Sequence, residues 1–195
     1  MKSVLNKISG VLLSSALLTT GLSFAHQDDD LDPHEVVVHT LAQGNISEIQ
    51  QLFDDGLNIN QDIQGDGTPL IIAVRSGNKD LVEYLLNRGA DVNTESTRDG
   101  TALTEAAANN DVELLSYLYA QGAVIDTVTK FDETALITAS RAGNYQAVKY
   151  LVEQGADVNL AVEAKVKLGK EMRSPLNGAK TKQIRDYLIE KGARI

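Results

Sequence analysis

No cysteine occurs anywhere in the chain. Disulfides, thiolate nucleophiles and Cys-ligated zinc or iron–sulfur sites are therefore excluded. Proline is scarce, with three residues, which argues against a proline-rich or disordered chain. Basic residues are in the minority: 18 Lys and Arg stand against 27 Asp and Glu, a formal net charge of −9. Such a balance is poorly suited to general nucleic-acid binding, which needs clustered cations against phosphate, and the acidity reads as a solubility device. Long hydrophobic runs are also missing. The apolar stretch Ile8–Leu18 is short and is interrupted by Ser9, Gly10, Ser14 and Ser15, so it does not comfortably span a bilayer. What remains is globular: 43% apolar, 5% aromatic and 23% charged over 195 residues, enough for one domain with a sizeable core.

The first 25 residues have the layout of a secretory signal peptide. Lys2 and Lys7 are the only charges before residue 26, the short apolar stretch follows, and Ser23-Phe24-Ala25 puts small residues at the −3 and −1 places. Cleavage after Ala25 would start the mature chain at His26 and remove two lysines and no acid, changing the charge to 16 − 27 = −11. The expected location is a bacterial periplasm or the medium, with no stable membrane insertion after cleavage. Without cysteine there is no lipoprotein attachment site. Residues 26–31 then read as a flexible acidic tail ahead of a repeat domain over 32–195.

Internal periodicity dominates that domain. Gly56-Leu-Asn-Ile-Asn60, Gly89-Ala-Asp-Val-Asn93, Gly122-Ala-Val-Ile-Asp126 and Gly155-Ala-Asp-Val-Asn159 recur every 33 residues. Thr68-Pro-Leu70, Thr101-Ala-Leu103 and Thr134-Ala-Leu136 keep the same step, as do Gly44, Gly77 and Gly143, with Asn110 in the remaining place. Ile49, Val82, Leu115 and Val148 repeat as apolar positions, and so do Leu52, Leu85, Leu118 and Leu151.

Each unit reads physically as two short helices. Thr68 before Pro69 is an N-cap followed by a first-turn proline. The spacing predicts a helix to about Ser76, a tight turn at Gly77, and a second helix from about Lys79 to Arg88. That helix carries Leu81, Val82, Leu85 and Leu86 at helical spacing, with Gly89 as its C-terminal cap and a polar turn or hairpin over Asn93–Gly100. Neither helix buries its apolar stripe alone, so the units must stack. The expectation is an all-α repeat solenoid of about five helix-turn-helix units at 32–62, 63–95, 96–128, 129–161 and 162–195.

A unit of this length, opening on Thr-Pro-Leu and closing on Gly-Ala-Asp-Val-Asn, resembles the ankyrin repeat. The resemblance covers about residues 34–195. The family's usual His after Thr-Pro-Leu is replaced by Ile71, Thr104, Ile137 and Asn177. Its turn glycine is replaced by Asp66, Asp99 and Asp132, with Gly67 and Gly100 one step later. The first unit opens instead on Asp32-Pro-His-Glu35, read as N-cap, first-turn proline and capping-box glutamate, which suits an N-terminal capping repeat. The last opens at Ser174-Pro-Leu176, is shortened around its central turn, and ends at Lys191-Gly-Ala193 as a C-terminal cap. The joint before it is seven residues longer than the others and carries Lys165, Lys167, Lys170 and Arg173 against Glu163 and Glu171. This insertion reads either as part of a binding face or as a tolerated surface loop.

Signs of other chemistry are few. There is no Gly-x-Ser-x-Gly nucleophile elbow and no Gly-x-x-x-x-Gly-Lys phosphate loop, so no catalytic or cofactor-binding residues are assigned and the chain reads as a non-enzyme. The three histidines are His26, His34 and His39. After cleavage the His26 amine and imidazole could chelate copper, with His34 or His39 adding a ligand. That gives the alternative function, a metal-binding or enzymatic protein working through the mature N-terminus. Against it, Gln27-Asp-Asp-Asp30 reads as solvated tail, and a spacing of five does not put His34 and His39 on one helical face. Tyr84, Tyr117, Tyr150 and Tyr187 recur beside paired apolar residues and read as framework packing.

The leading expectation is a monomeric module that binds another protein, as an inhibitor, immunity-type or scaffold protein, with no residue favouring one of these roles. The resemblance implies docking on hairpin tips and on the inner face of the first helices. The matching positions are Gln64, Gly65, Arg75 and Ser76; Thr97, Arg98, Ala108 and Asn109; Lys130, Phe131, Arg141 and Ala142. Of these, Gln64, Arg75, Arg98, Asn109, Lys130, Phe131 and Arg141 are the expected contact residues. Four are basic in an acidic protein and one is aromatic, the residue types that anchor interfaces. The expectation is a positive stripe with one apolar anchor, facing an acidic partner surface.

Overall fold

The computed structural model describes residues 32–98, 100–131, 133–166 and 169–194. The expected signal peptide and the acidic tail through Leu31 lie outside them, as do Asp99, Asp132, Lys167 and Leu168. The described residues form two compact units, one up to Ala90 and one from Asp91 onward.

In the first unit the described residues form four helices: α1 (Pro33–Gln43), α2 (Ile46–Asp54), α3 (Pro69–Arg75) and α4 (Lys79–Asn87). Each starts where a short polar side chain satisfies an otherwise orphaned amide. Asn45 accepts from Ser47 N, Thr68 from Ile71 N and Asn78 from Leu81 N. Asp32 accepts from His34 N, so the first cap is made there and not as the expected reciprocal pair with Glu35. α1 packs on α2 and on α3, and α3 packs on α4. The core between them holds Val37, Leu41, Ile49, Leu52, Leu81 and Leu85, and α3 is buried from Pro69 to Val74. The tip of this unit is closed by Asp62, whose Oδ1 accepts from Gly65 N and Gly67 N. His34 Nε2 lies 2.7 Å from Asp66 Oδ2 and 3.2 Å from Ile63 O, which ties the start of α1 to the same tip.

The second unit contains α5 (Ala102–Ala108), α6 (Val112–Ala120), α7 (Ala135–Ala142), α8 (Tyr145–Glu153), strands β1 (Val162–Val166) and β2 (Gly169–Arg173), then α9 (Pro175–Gly178) and α10 (Lys182–Glu190). First helices stack on first helices, α5 on α7 on α9, and second on second, α6 on α8 on α10. Leu114, Leu115, Leu118, Leu136, Ile137, Val148, Leu151, Ile184 and Leu188 form the buried interior. Thr101, Thr134 and Ser174 cap the first helices. Thr104, in the place of the family histidine, completes a reciprocal box: Thr101 N donates to its Oγ1 and its own N donates to Thr101 Oγ1. Asn110, at the glycine place of the central turn, has φ 57°, a left-handed conformation that Asn tolerates better than most residues. Its side chain also accepts from Ala147 N at 3.0 Å in the next repeat.

A seam of side-chain bonds joins successive repeats behind the second helices. Asn93 donates to Gly122 O (3.1 Å) and accepts from Val124 N (2.9 Å). Asn159 does the same to Gly192 O (3.1 Å) and Arg194 N (2.8 Å). Between them, both carboxylate oxygens of Asp126 accept from Asp157 N, at 3.1 and 3.2 Å, and Asp126 lacks the amide N–H with which Asn93 and Asn159 donate to a glycine carbonyl. Burial raises the Asp126 pKa above its ordinary value. The Asp157 amide opposes that shift and the Asp157 carboxylate adds to it.

The insertion is an antiparallel two-stranded ribbon, with Val162 opposite Arg173 and Val166 opposite Gly169. The fold is otherwise an all-α repeat solenoid. The sequence signal for the ribbon is the alternation Val162-Glu-Ala-Lys-Val166 ahead of Gly169, which a reading of this stretch as a charged loop passes over.

Candidate protein-binding groove

The tips of the second unit converge on one open depression. Arg98 and Gly100 come from the hairpin before α5, Thr129, Lys130, Phe131 and Glu133 from the hairpin before α7, Thr138 and Arg141 from α7, and Arg173 from the end of β2. Its volume is about 530 Å³. A second depression of about 370 Å³ shares Arg141 and Arg173 and adds Glu171, Met172, Ser174, Asn177, Gly178 and Lys180. The two arginines therefore form the ridge common to both.

Two backbone features place these side chains. Gly100 has φ 75°, and a Cβ there would lie 2.6 Å from Thr104 Oγ1 and 3.0 Å from Thr129 Cγ2, so a glycine lets the two hairpins close up. A Cβ on Gly178 would lie 2.6 Å from Arg141 Cγ; its absence lets the arginine stem lie over α9.

Glu133 organises the charge. It stands where Gly67 and Gly100 stand in the earlier units. Its Oε1 accepts from Arg141 Nη1 and lies 3.3 Å from Arg173 Nη1, and its Oε2 accepts from Thr138 Oγ1 at 3.0 Å. Arg173 also donates to Phe131 O at 2.8 Å, which latches the ribbon to the tip before α7. Its Nε is 3.8 Å from Glu171 Oε2, an ion pair too long for a hydrogen bond. The Lys130 backbone amide donates to the Glu95 carboxylate. Among the described residues the Arg98 guanidinium and the Lys130 ammonium have no ion-pair partner.

Of the seven expected contact residues, Arg98, Lys130, Phe131 and Arg141 come together here. Asn109 is the exposed C-cap of α5 and does not line the depression. Gln64 and Arg75 belong to the first unit, where Gln64 is an exposed turn residue at φ 51° and Arg75 donates to Asp66 O at 3.1 Å, bracing its own tip. The positive stripe is also more balanced than a count of arginines suggests, because Glu133 is shared by two of them. Sequence reasoning misses Glu133, and its position in a glycine place is the available signal.

Other chemistry finds no centre among the described residues. His34 and His39 have separate partners, Asp66 and Gln43. No group of three or more His, Cys, Asp or Glu that could hold a metal is present among the described residues. His26 lies outside them. No helix among the described residues is long and apolar enough to cross a membrane.

A comparison with the curated proteins found no match. The ankyrin-repeat family, described by three repeat copies, matches over residues 15–96 and 90–162. The match begins inside the expected signal peptide and stops where the ribbon starts. Ankyrin repeats are protein–protein interaction modules and are typically non-enzymatic. With the family matched over most of the sequence and its paired helices stacked repeat on repeat, the chain belongs to the ankyrin-repeat family.

Proposed function

We propose that this ankyrin-repeat chain is an exported, non-enzymatic binder that restrains or scaffolds a partner protein in the cell envelope. The partner docks on the tips of the second unit. The observation that carries the reading is the meeting of Arg98, Lys130, Arg141 and the exposed Phe131 on one depression, built from successive hairpins over a rigid core. Arginine and aromatic side chains on a rigid support are the usual anchors of an interface. Export is supported by Lys2, Lys7, the apolar stretch and Ser23-Phe24-Ala25. Inhibitor, immunity-type and scaffold roles all use the same face and differ in what the partner does.

Two measurements test this. Expressed in a bacterium from its own start, the full chain should be recovered from the periplasm or medium with a mass and N-terminal sequence beginning at His26. A cytoplasmic chain that retains Met1 removes export. Cross-linking of the mature protein in its own envelope extract should yield one partner, whose capture falls when Arg98, Phe131 and Arg141 are together changed to Ala. Unchanged capture removes this face from the reading.

A further inference from the structure

The ribbon inserted before the last repeat does more than lengthen a joint. It brings Arg173 against the hairpin before α7 and Met172 beside the second depression. Resting on the reading of the chain as a protein binder, we infer that the two depressions together take an extended partner segment. In that segment a carboxylate side chain sits on the Arg141–Arg173 ridge and apolar residues on either side rest on Phe131 and Met172.

Charge is the first ground. Among the described residues the two depressions are lined by five cations, Arg98, Lys130, Arg141, Arg173 and Lys180, against three carboxylates, Glu105, Glu133 and Glu171. This local excess of positive charge stands on a chain of net charge −9. It steers acidic segments towards this face and repels the basic ones that the rest of the surface attracts.

The ridge is the second ground. Glu133 shows what it holds: one carboxylate oxygen receives guanidinium groups from both Arg141 and Arg173. Charge-assisted bonds of this kind are shorter and stronger than neutral ones. Two arginines on one carboxylate leave positive charge to spare, and Arg141 keeps 45% of its side chain exposed. A second carboxylate arriving from solvent therefore finds an exposed guanidinium, with Arg98 and Lys130 beside it.

Apolar exposure is the third. Among the described residues six large hydrophobic side chains are exposed, and two of them, Phe131 at 39% and Met172 at 52%, border these depressions on opposite sides of the ridge. A partner that brought charge alone would leave both in water. One that brought apolar groups alone would leave the cations unpaired and desolvated. In the first depression the apolar side chains are Ala108 and Phe131, which is too little for a small apolar ligand. Two depressions in a row across a charged ridge fit a strand-like segment, whose alternate side chains fall on one face.

The test is selection from a random-peptide display library against the immobilised mature protein and, in parallel, against Arg141→Ser, Phe131→Ser and Met172→Ser variants. Thermal unfolding first confirms that each variant folds. Enriched peptides should place Asp or Glu between apolar residues. They should lose about tenfold in affinity on Arg141→Ser or Phe131→Ser and a few-fold on Met172→Ser, in line with truncated interface anchors. The Arg141-dependent share should weaken as salt rises. Enriched peptides that lack acids, or that bind all four proteins equally, overturn the groove assignment and leave the protein-binding reading standing. No enrichment on any of the proteins removes both. A wild-type dimer that Arg141→Ser dissolves assigns the groove to a second copy and likewise overturns the proposal.

Discussion

Behind the second helices of the second unit, the same device recurs in register. Asn93 and Asn159, two repeats apart, make the same pair of bonds with matching distances. At the tips only the backbone bond that closes each hairpin recurs, Ser96 N to Gly100 O and Thr129 N to Glu133 O. The side chains change, with Gly100 in one hairpin becoming Glu133 in the next, and before the last repeat the hairpin gives way to a ribbon. Both regions hang on the same helices, so the difference is not one of fold. The seam must satisfy backbone groups that every repeat presents, and there the chemistry is dictated. The tips face solvent, where any soluble side chain is tolerated. Regularity therefore marks what holds the repeats together, and departures mark what is free to serve a partner.

The sharpest way to break that comparison is through the core that both regions share. Leu118 is fully buried in α6. Leu118→Ala should lower unfolding free energy by about 2–5 kcal/mol, the range for a buried leucine leaving a cavity, measured by urea unfolding. Phe131→Ala at a tip should change it by less than about 0.5 kcal/mol while reducing binding. Equal losses in stability would mean that the tips also hold the fold.

A smaller effect is expected at the seam itself. Asn159→Ala removes both bonds to the last repeat, and solvent partly replaces them because the site is exposed. A loss of about 1 kcal/mol follows from the net value of such bonds, and hydrogen exchange should rise first in α10.

Much of this division is legible in the order of the amino acids. The period of 33, the Thr caps and the apolar register of the second helices come from demands that repeat with the helix pairs. Asn110 is legible too, since few residues other than glycine accept its φ. The groove is legible only in part. Arg98, Lys130, Phe131 and Arg141 can be named by position in the repeat, but their meeting with Arg173 depends on a ribbon that lies outside the repeating pattern. Glu133 escapes notice because its one signal, an acid in the place of Gly67 and Gly100, says nothing of its role until Arg141 and Arg173 are beside it.

Asp126 is the exception inside the regular region, and it offers a test in the opposite direction. Asp126→Asn restores a donor for Gly155 O and removes the repulsion from Asp157 that helps raise the Asp126 pKa. The variant should be more stable than wild type by up to about 1 kcal/mol at neutral pH. The pH dependence has a fixed sign. A carboxyl whose folded pKa is raised contributes stability that is fully present below its unfolded value near 3.8 and is lost as pH rises through the folded value. The gap between variant and wild type should therefore close as pH falls through that window, because the protonated Asp126 can itself donate to Gly155 O. A gap that widens on acidification would mean that the seam at this joint is made by other groups.

The smallest expected effect separates the two regions most cleanly, because stability and binding should move in opposite directions. Glu133 is about one-fifth exposed, and as Gln its oxygen would still accept from Arg141 while its amide N–H donates to the Thr138 hydroxyl, so Glu133→Gln should cost only about 0.5 kcal/mol of stability. The same change removes the carboxylate that occupies the Arg141–Arg173 ridge and frees both guanidinium charges for a partner. Affinity for an acidic, apolar-flanked peptide should rise a few-fold at low salt and return towards wild type at high salt, where exposed charges are screened. A seam residue cannot behave this way, since every loss there is a loss for the fold. If Glu133→Gln weakens the peptide instead, Glu133 holds the two arginines in the geometry that binding requires, and the tips are as tightly specified as the seam.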